Sequence, residues 1–534
     1  MIRASWIQQL YSRSCRSIRR FEVFFVLSWV EFILTSYVIL DHPEGTMWTY
    51  AQLAVMCGLA FSVCSRIFCE RLQRDMGRWV LYAAVAVFCG CAFGILSSVP
   101  GPAYAHLYVG GIVSALSCFS LFLLYTDVNG KSLFPLLVCG SISAVGIILL
   151  LGTALLICLL AFTMLITHVR DSYNLVILAF VVFIPGFNLF LSFLPEREGD
   201  CTVPKAFYKV LVLVCLPVYG LLLLILYGYV LKIVMAGTLP VGEMNWYASL
   251  ASFGFVFLYF SLRDNPIYPR IGHWLRWGGI ALAPVIAAQI MGIVIRYNAY
   301  GLTTARYASM VCTAFGICVM VCALLRRRQV VLYALAGVCC IVFFLTPLNI
   351  LDTPSRDQQQ RLLVLLQEQG MYRDGEIVAN GSLSVADRQN IGSAYTYLRT
   401  SPTKDKFPFA RQVADSPVLK ELSLTREGQA LRLQNSRTFG IPVEGYKTAY
   451  PYSGVAVNGI LTIPVGNEDP AAYDISDYCA ALYDTYKDKG NVQQVDLQFQ
   501  PDADTVLYFK SIRLRRDAGS DGLHINVEGY LLKR

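Results

Sequence analysis

Six side chains have the type and position to do chemistry inside or beside a membrane: Glu31, Asn188, Gln289, Arg296, Tyr300 and Arg306. Glu31 stands in the middle of the apolar run SWVEFILTS. A carboxylate there is expensive to insert. It therefore marks either a proton or cation site turned into a helix bundle, or a protonated or hydrogen-bonded glutamate joining two helices. Glu22, nearer a basic stretch, reads as interfacial. Asn188 follows Pro185-Gly186 and Gln289 follows Pro284; with Pro217 these mark three interrupted apolar runs. Carbonyls freed near a membrane midplane can bind an ion or a substrate, as in transporters with discontinuous helices. Ordinary kinking, with the lost bonds made up by neighbours, is the simpler reading. Arg296, Tyr300 and Arg306 belong to IRYNAYGLTTARY, Ile295 to Tyr307, a dense polar cluster between two long apolar runs. Two cations with Tyr297, Tyr300 and Tyr307 could hold an anionic headgroup or pack on aromatic rings. They could equally pin a rigid helical hairpin through bonds to carbonyls and carboxylates. Gly301 would allow a tight turn with positive φ, and Thr303 could cap the helix that follows.

The elements that must position these residues follow from composition. Of 534 residues, 56% are hydrophobic and 15% charged, where a soluble domain is nearer half and a quarter. Apolar runs long enough to cross a hydrocarbon core recur at roughly 21–40, 47–65, 79–98, 104–125, 133–166, 172–194, 206–235, 245–262, 275–296, 306–325 and 329–350. The first follows Arg13, Arg16, Arg19 and Arg20, is too long for a signal-peptide core and lacks a small-residue cleavage site, so it reads as a retained helix. The run at 133–166 exceeds one crossing and could be one long helix or two. Two would put Arg326-Arg327-Arg328 outside, which the positive-inside rule disfavours. With one helix there, eighteen Lys/Arg fall on one side: the N-terminal arm, Arg66 to Arg78, Lys131, Arg197 to Lys205, Arg263 to Arg276, and Arg326 to Arg328. Four fall on the other: Arg170, Lys232, Arg296 and Arg306. The N-terminus is then cytoplasmic and the C-terminus outside.

After Ile350 the chain becomes polar and turn-rich. Ser355 to Gln369 reads as an amphipathic helix ended by Gly370. Ser384 with Asp387 resembles a capping box opening a helix towards Leu398, and Ser476 could cap another through Lys489. In VDLQFQ, Val495, Leu497 and Phe499 alternate with polar neighbours; 505–515 and 523–532 alternate similarly, with turns at Pro501-Asp502 and Asp517 to Gly522. The expected fold is an all-α polytopic membrane bundle of about eleven transmembrane helices, followed by a C-terminal extracytoplasmic α+β domain with an antiparallel meander. The divisions are a basic cytoplasmic arm at 1–20, the membrane domain at 21–350 and the extracytoplasmic domain at 351–534.

Other chemistry finds less support. Most of the seventeen cysteines lie in apolar runs, as Cys89, Cys91, Cys339 and Cys340 do, where they act as small hydrophobes. His42, His106 and His168 sit at outer ends of different spans without ligand spacing, so no metal is expected. No cofactor motif is present: no phosphate-binding loop, no GxGxxG after a strand, no HExxH, CxxC or nucleophile elbow. Topology accounts for the basic residues, so nucleic-acid binding is not expected. Asp41 and Glu44, in the short first outer loop DHPEGT, would be the carboxylates of a polytopic membrane enzyme acting on a lipid-linked substrate, although such enzymes use a longer loop.

Three blocks carry a likeness: LPVYGLLLLILYGYVLKI from Leu216 to Ile233, RYNAYGLTTARY, and the stretch from TPLNI through SRDQQQRLLVLLQEQGMYRDGEI to LSVADRQNIGSAYTYL. Together they resemble a bacterial membrane family, domain of unknown function 4153, in its Bacteroidetes-type branch. The resemblance implies a polytopic inner-membrane location, with a Gln-rich amphipathic helix leading to an extracytoplasmic tail, and brings no established activity. Many relatives carry an acidic residue after the Thr of the second block, where Thr304 stands here. The resulting expectation is a non-enzymatic membrane protein with a permease-like or lipid-contacting bundle. Membrane lipids are its expected partners, together with a protein or small molecule bound by the tail. The rivals are a sensor or scaffold and the lipid-linked enzyme.

Overall fold

The computed structural model describes residues 2–41, 45–73, 77–127, 133–165, 170, 172–195, 203–236, 244–265, 267–325, 329–373, 375–380, 383–424, 431–435, 446–456, 459–463, 470–486, 491–516 and 523–533. The expectations placed on His42, Glu44, Lys131, His168, Arg326-Arg327-Arg328, Lys489 and Asp517 to Gly522 lie outside the described residues. The chain forms two compact units, residues 1–381 with 393–416, and residues 382–392 with 417–534.

The first unit is helical. It runs α1 (Ile2–Arg20), α2 (Glu22–Asp41), α3 (Met47–Leu72), α4 (Arg78–Ser98), α5 (Pro102–Asp127) and α6 (Leu133–Leu165). The rod α7 (Ser172–Val181), a π turn (Val182–Gly186) and α8 (Phe187–Leu191) follows. Then come α9 (Lys205–Val210), a second π turn (Leu211–Cys215) and α10 (Leu216–Ala236). After α11 (Met244–Leu262), α12 (Pro269–Tyr300) and α13 (Thr304–Leu324), α14 (Gln329–Cys340) ends in a third π turn (Ile341–Leu345). Among the described residues, nine helices are long and apolar enough to cross a membrane, and Trp246–Leu262 and Val330–Leu345 are shorter apolar helices. The run at 133–166 is one helix of 33 residues. Large apolar side chains point outwards, with Leu150 72% and Leu224 68% exposed. That surface suits lipid and not water, since soluble monomers rarely expose wide apolar patches. Trp79, Trp246 and Trp274 are likewise exposed, near the first turns of α4, α11 and α12, as interfacial aromatic residues are.

The prolines bend these rods without unwinding them. Phe187 N–H reaches back to Val182 C=O around Pro185, and Leu216 N–H to Leu211 C=O just before Pro217. These wide turns accommodate the bonds that proline cannot make. Pro284 sits inside an uninterrupted α12, and the Tyr227 hydroxyl of α10 donates to Ala281 C=O in the turn before it. Two of the three interruptions expected from sequence are thus widened turns within helical backbone, and the third, at Pro284, is continuous helix.

Inside, lipid-like tails supply no hydrophobic drive between helices, so close packing of small residues holds them. Ala248 and Ala251 of α11 are fully buried with Phe255, Leu282 of α12 and Val319 and Ala323 of α13. A Cβ on Gly279 would stand 2.8 Å from Met320 Cγ and 3.2 Å from Phe255 Cζ. A second cluster joins α3, α4 and α5 through Tyr50, Ala54, Cys57, Ala92, Leu96, Ala105 and Val109. Beyond α14 the same unit adds α15 (Asp352–Glu368), the hairpin of β1 (Tyr372–Arg373) and β2 (Glu376–Ile377), part of α16 (Val385–Thr400), a 3-10 turn (Pro402–Asp405) and α17 (Pro408–Asp415). Gly370, at φ 65°, ends α15 as expected: Met371 N–H bonds Leu366 C=O at 2.8 Å and Gly370 N–H bonds Gln367 C=O at 3.0 Å. This is a Schellman cap, and the contact it favours is between Leu366 and Met371, both fully buried.

The second unit contains the start of α16, α18 (Pro417–Leu424), β3 (Leu431–Asn435), β4 (Thr448–Ala456), β5 (Ile460–Ile463), β6 (Ala471–Asp474), α19 (Ser476–Tyr486), β7 (Asn491–Val495), β8 (Gln498–Asp502), β9 (Thr505–Arg516) and β10 (Leu523–Lys533). β8, β9 and β10 form the expected antiparallel meander. It is the centre of a larger sheet ordered β4-β10-β9-β3-β7, with β8 also on β9 and β7 parallel to β3. Leu433, Phe509, Ile512, Val527 and Leu531 face Cys479 of α19 in the core. Burial pushes the Cys479 thiol up to about 12, so it packs as a neutral apolar group. Ser384 caps α16 as expected, with Asp387 N–H on Ser384 Oγ at 3.1 Å, but Asp387 Oδ2 accepts the Ser384 hydroxyl at 2.6 Å in place of the backbone N–H of a capping box. At α19 the capping acceptor is Asp474 and not Ser476: Ser476 donates its N–H at 3.0 Å and its hydroxyl at 2.6 Å to Asp474 Oδ1. Those two bonds hold the exposed Asp474 carboxyl below its ordinary value.

Gly279→Leu should overpack the junction of α11, α12 and α13 and cost about 1–3 kcal/mol. Gly292→Leu, on the same helix with open space at its Cβ, should be silent. Thermal unfolding of both variants in detergent checks this; equal melting would refute the packing argument.

Candidate functional site

A helix leaves its last carbonyls without partners, and α12 ends in the polar cluster IRYNAYGLTTARY. Gly301 turns the chain there at φ 67° and ψ −173°, with its N–H on Tyr297 C=O, a backbone that favours glycine. α15 supplies the missing donors. Gln358 Nε2 donates to Tyr300 C=O at 2.9 Å and to Leu302 C=O at 3.0 Å. Arg361 donates to Tyr300 C=O at 2.5 Å and Ala299 C=O at 3.1 Å. Asp357 works in the opposite sense, accepting Leu302 N–H at 2.6 Å and the Tyr297 hydroxyl at 3.1 Å. A Cβ on Gly301 would stand 2.7 Å from Gln358 Nε2 and 2.9 Å from Asp357 Oδ2, so glycine is required by space as well as by φ.

Arg306 of α13 folds back onto this turn, donating to Gly301 C=O at 2.6 Å with its guanidinium 5.6 Å over the Tyr300 ring. Arg296 is half-buried one helical turn before Tyr300. Thr304 shares a hydrogen bond of 2.8 Å with Tyr397 of α16; burial pushes that phenol above its ordinary value, so it stays protonated. Thr304 brings no carboxylate to the turn; Asp357 brings one from α15. Thr303 does occupy the N-cap position of α13, but its side chain makes no capping bond; only its carbonyl is used, by Tyr307 N–H at 2.9 Å. Tyr307 stacks on Phe343 at 5.7 Å and donates to Leu348 C=O at 2.5 Å.

TPLNI forms the adjoining corner. Asn349 Oδ1 accepts Leu351 N–H at 2.9 Å and Asp352 N–H at 2.8 Å, a side-chain turn that opens α15. Asp352 is completely buried. Its carboxylate accepts the Tyr104 hydroxyl of α5 at 2.6 Å and Asn349 Nδ2 at 3.0 Å, and is paired with Lys406. The Lys406 ammonium also lies 5.0 Å from the Tyr104 ring. Ser355, Ser401 and Thr403 form a buried ring of hydroxyls next along α15, with contacts of 3.2, 2.8 and 2.8 Å.

The remaining candidate residues lie elsewhere. Glu31 is fully buried and accepts from Thr35 at 3.4 Å, while Gln52 of α3 donates to Thr35 at 2.8 Å. Gln289 bridges three helices, donating to Ser249 of α11 at 2.9 Å and Ser309 of α13 at 3.3 Å. Asn188 is half-buried at the end nearest α1, where Ser17 reaches its carbonyl at 3.4 Å. Arg296, Tyr300 and Arg306 are therefore brought together, whereas Glu31, Asn188 and Gln289 occupy three separate places. Asp41 is exposed at the end of α2. His106 Nδ1 sits 2.7 Å from Pro102 C=O. Among the described residues no group of three or more His, Cys, Asp or Glu is arranged to hold a metal.

Asp357, Gln358, Arg361, Asp352, Tyr104, Lys406 and Tyr397 were not singled out from sequence. The available signal was the Asp-x-x-x-Arg spacing of 357 and 361, which puts both side chains on one face of a helix.

Lys406→Met strips the cation from a buried carboxylate. Lys406 is itself 32% exposed, so the loss should be that of one hydrogen bond to a charged group, roughly 1.5–3 kcal/mol. Adding Asp352→Asn should recover part of it. Melting curves of the wild type, both single variants and the double variant check the coupling; strictly additive losses would refute it.

Against known proteins, no curated protein and no solved structure matches this chain. A family model does match, the domain of unknown function DUF4153, over residues 29–372. That stretch runs from α2 to β1, taking in the polar turn at Gly301, the TPLNI corner and α15, and covers well over half of the sequence. The chain is a member of the DUF4153 family of membrane proteins.

Proposed function

We propose that this protein is a lipid-embedded base for a binding or assembly domain. It resides in the bacterial cytoplasmic (inner) membrane and crosses it about eleven times. The N-terminal arm is cytoplasmic and the β-rich unit is extracytoplasmic, where it takes a protein or small-molecule partner. The orientation rests on the Lys/Arg asymmetry of the loops. The observation that carries the reading is the use made of the outer polar turn. Arg306, Gln358 and Arg361 are committed to backbone carbonyls, and Asp357 to a backbone amide and a phenol. Such a turn is equipped to hold α15 still.

A second reading, a permease-like bundle, draws on Glu31, a carboxylate fully buried in the middle of a span. Intramembrane ionisable groups of this kind commonly mark proton or ion pathways.

Complementation of a deletion strain separates the two. On the proposed reading, Gln358→Ala with Arg361→Ala should abolish complementation at normal protein level, as should removal of residues 417–534, while Glu31→Gln should complement fully. The reverse pattern would establish the permease and sink the anchored-domain reading. A reporter active only outside the cytoplasm, fused after Arg534, should be active; an inactive one would overturn the orientation.

A further inference from the structure

The end of the bundle remote from the polar turn holds a second arrangement that the anchoring role does not use. A cavity of about 300 Å³ opens there among α1, α2, α3 and α4, lined by Arg19, Arg20, Glu22, Ser62, Arg66 and Arg78, with Phe24 in its wall. Arg20 is the fixed member. It grips Glu70 with two parallel bonds of 3.0 and 2.8 Å, and donates to Leu194 C=O at 2.9 Å and Pro195 C=O at 3.0 Å. Arg66 shares Glu70 at 3.1 Å. Arg78 lies 3.9 Å from Glu22, and Arg19 is exposed. Among the described residues, four guanidiniums thus face two carboxylates, Glu22 and Glu70, an excess of two positive charges. Guanidinium groups match phosphate oxygens in a planar, two-pronged way.

Phe24 is also a wall of a second cavity, of about 450 Å³, between α2, α3, α5, α6 and α8. Its lining is apolar, including Leu59, Leu121, Phe134, Leu137 and Phe190. The three serines in it spend their hydroxyls on their own helices: Ser117 on Val113 C=O at 2.7 Å, Ser120 on Leu116 C=O at 2.8 Å and Ser141 on Leu137 C=O at 2.9 Å. Water needs several polar partners to stay in a cavity, and this one presents few. Leu194, whose carbonyl Arg20 holds, lines it too. A cationic pocket and a greasy slot therefore share one side chain as a wall, at the end of a membrane bundle. Basic pockets between membrane helices bind anionic lipid headgroups by this chemistry.

We propose that the two cavities are one site for an anionic phospholipid, its phosphate among Arg19, Arg66 and Arg78 and an acyl chain in the apolar slot. The full-length protein in detergent, offered equal amounts of phosphatidylglycerol and phosphatidylcholine, should retain one phosphatidylglycerol at least tenfold more than phosphatidylcholine in native mass spectrometry. Arg19→Gln with Arg78→Gln should bring that ratio close to one. Ala60→Phe, which fills the slot, should lose retention of the lipid. Arg263→Gln with Arg276→Gln, arginines that line neither cavity, should leave the ratio unchanged. Equal retention of both lipids by the wild type would overturn the proposal without touching the anchored-domain reading. So would displacement of the lipid by millimolar inorganic phosphate, which would mark a headgroup site with no role for the slot. A ratio unchanged in the Arg19/Arg78 variant, with its melting temperature intact, would overturn it also.

Discussion

The constraint on which the end of the bundle at α12 depends is the fate of the last carbonyls of that helix. Ala299 and Tyr300 at its end, and Leu302 just beyond it, carry oxygens with no further helical turn to bond them. Gln358 and Arg361 answer three of these oxygens with four hydrogen bonds, and Arg306 answers Gly301. An unmet buried carbonyl costs more than a formed bond gains, so α15 is seated by what its absence would leave exposed. Along α15 lie the Schellman cap at its far end, the buried Asp352 at its near end, and Ser355, whose hydroxyl joins those of Ser401 and Thr403 in the segment between α16 and α17.

The arginines differ in what they bond. At the end near α1, Arg20 and Arg66 share the Glu70 carboxylate, Arg20 holding two carbonyls besides. At the polar turn, Arg306 and Arg361 meet neutral carbonyls. A guanidinium can satisfy backbone oxygens at a helix end, and a turn closed by Gly301 presents those oxygens together. Lysine, with a single point of charge, would serve less well there.

Much of this architecture was legible. Apolar length located the helices, the period of two located β9 and β10 but ran the end of β7 and the start of β8 together as one strand, and Ser384-x-x-Asp387 and Gly370 marked their helix ends because capping is local chemistry. Gly301 was legible for the same reason. What escaped were pairings between distant segments: Gln358 with Tyr300, Tyr104 with Asp352, Lys406 with Asp352. No periodicity encodes a contact across fifty or more residues, and the resemblance of the two blocks to one family did not say that they touch. The strands β3 and β4, the latter with Pro451 within it, were not anticipated. The kinks were located by their prolines, but the form they take, a widened turn in place of an unwound one, is a backbone adjustment that side-chain types do not announce.

Those widened turns uncouple the length of a rod from the direction it faces. One extra residue in a turn swings everything beyond it by roughly 100° about the axis. In the rod from Ser172 to Leu191 the swing falls at Val182–Gly186, just where Gly186 lies so close to α6 that a Cβ would stand 2.7 Å from Ile148 Cδ1. Ala179 and Val181 before the turn, and Leu189 and Leu191 after it, are all buried. A strict 3.6-residue helix carrying the same letters would hold one of these pairs in place and rotate the other away. The segment is in effect two half-helices with independent phase, joined at a point where backbone contact with α6 sets the angle between them.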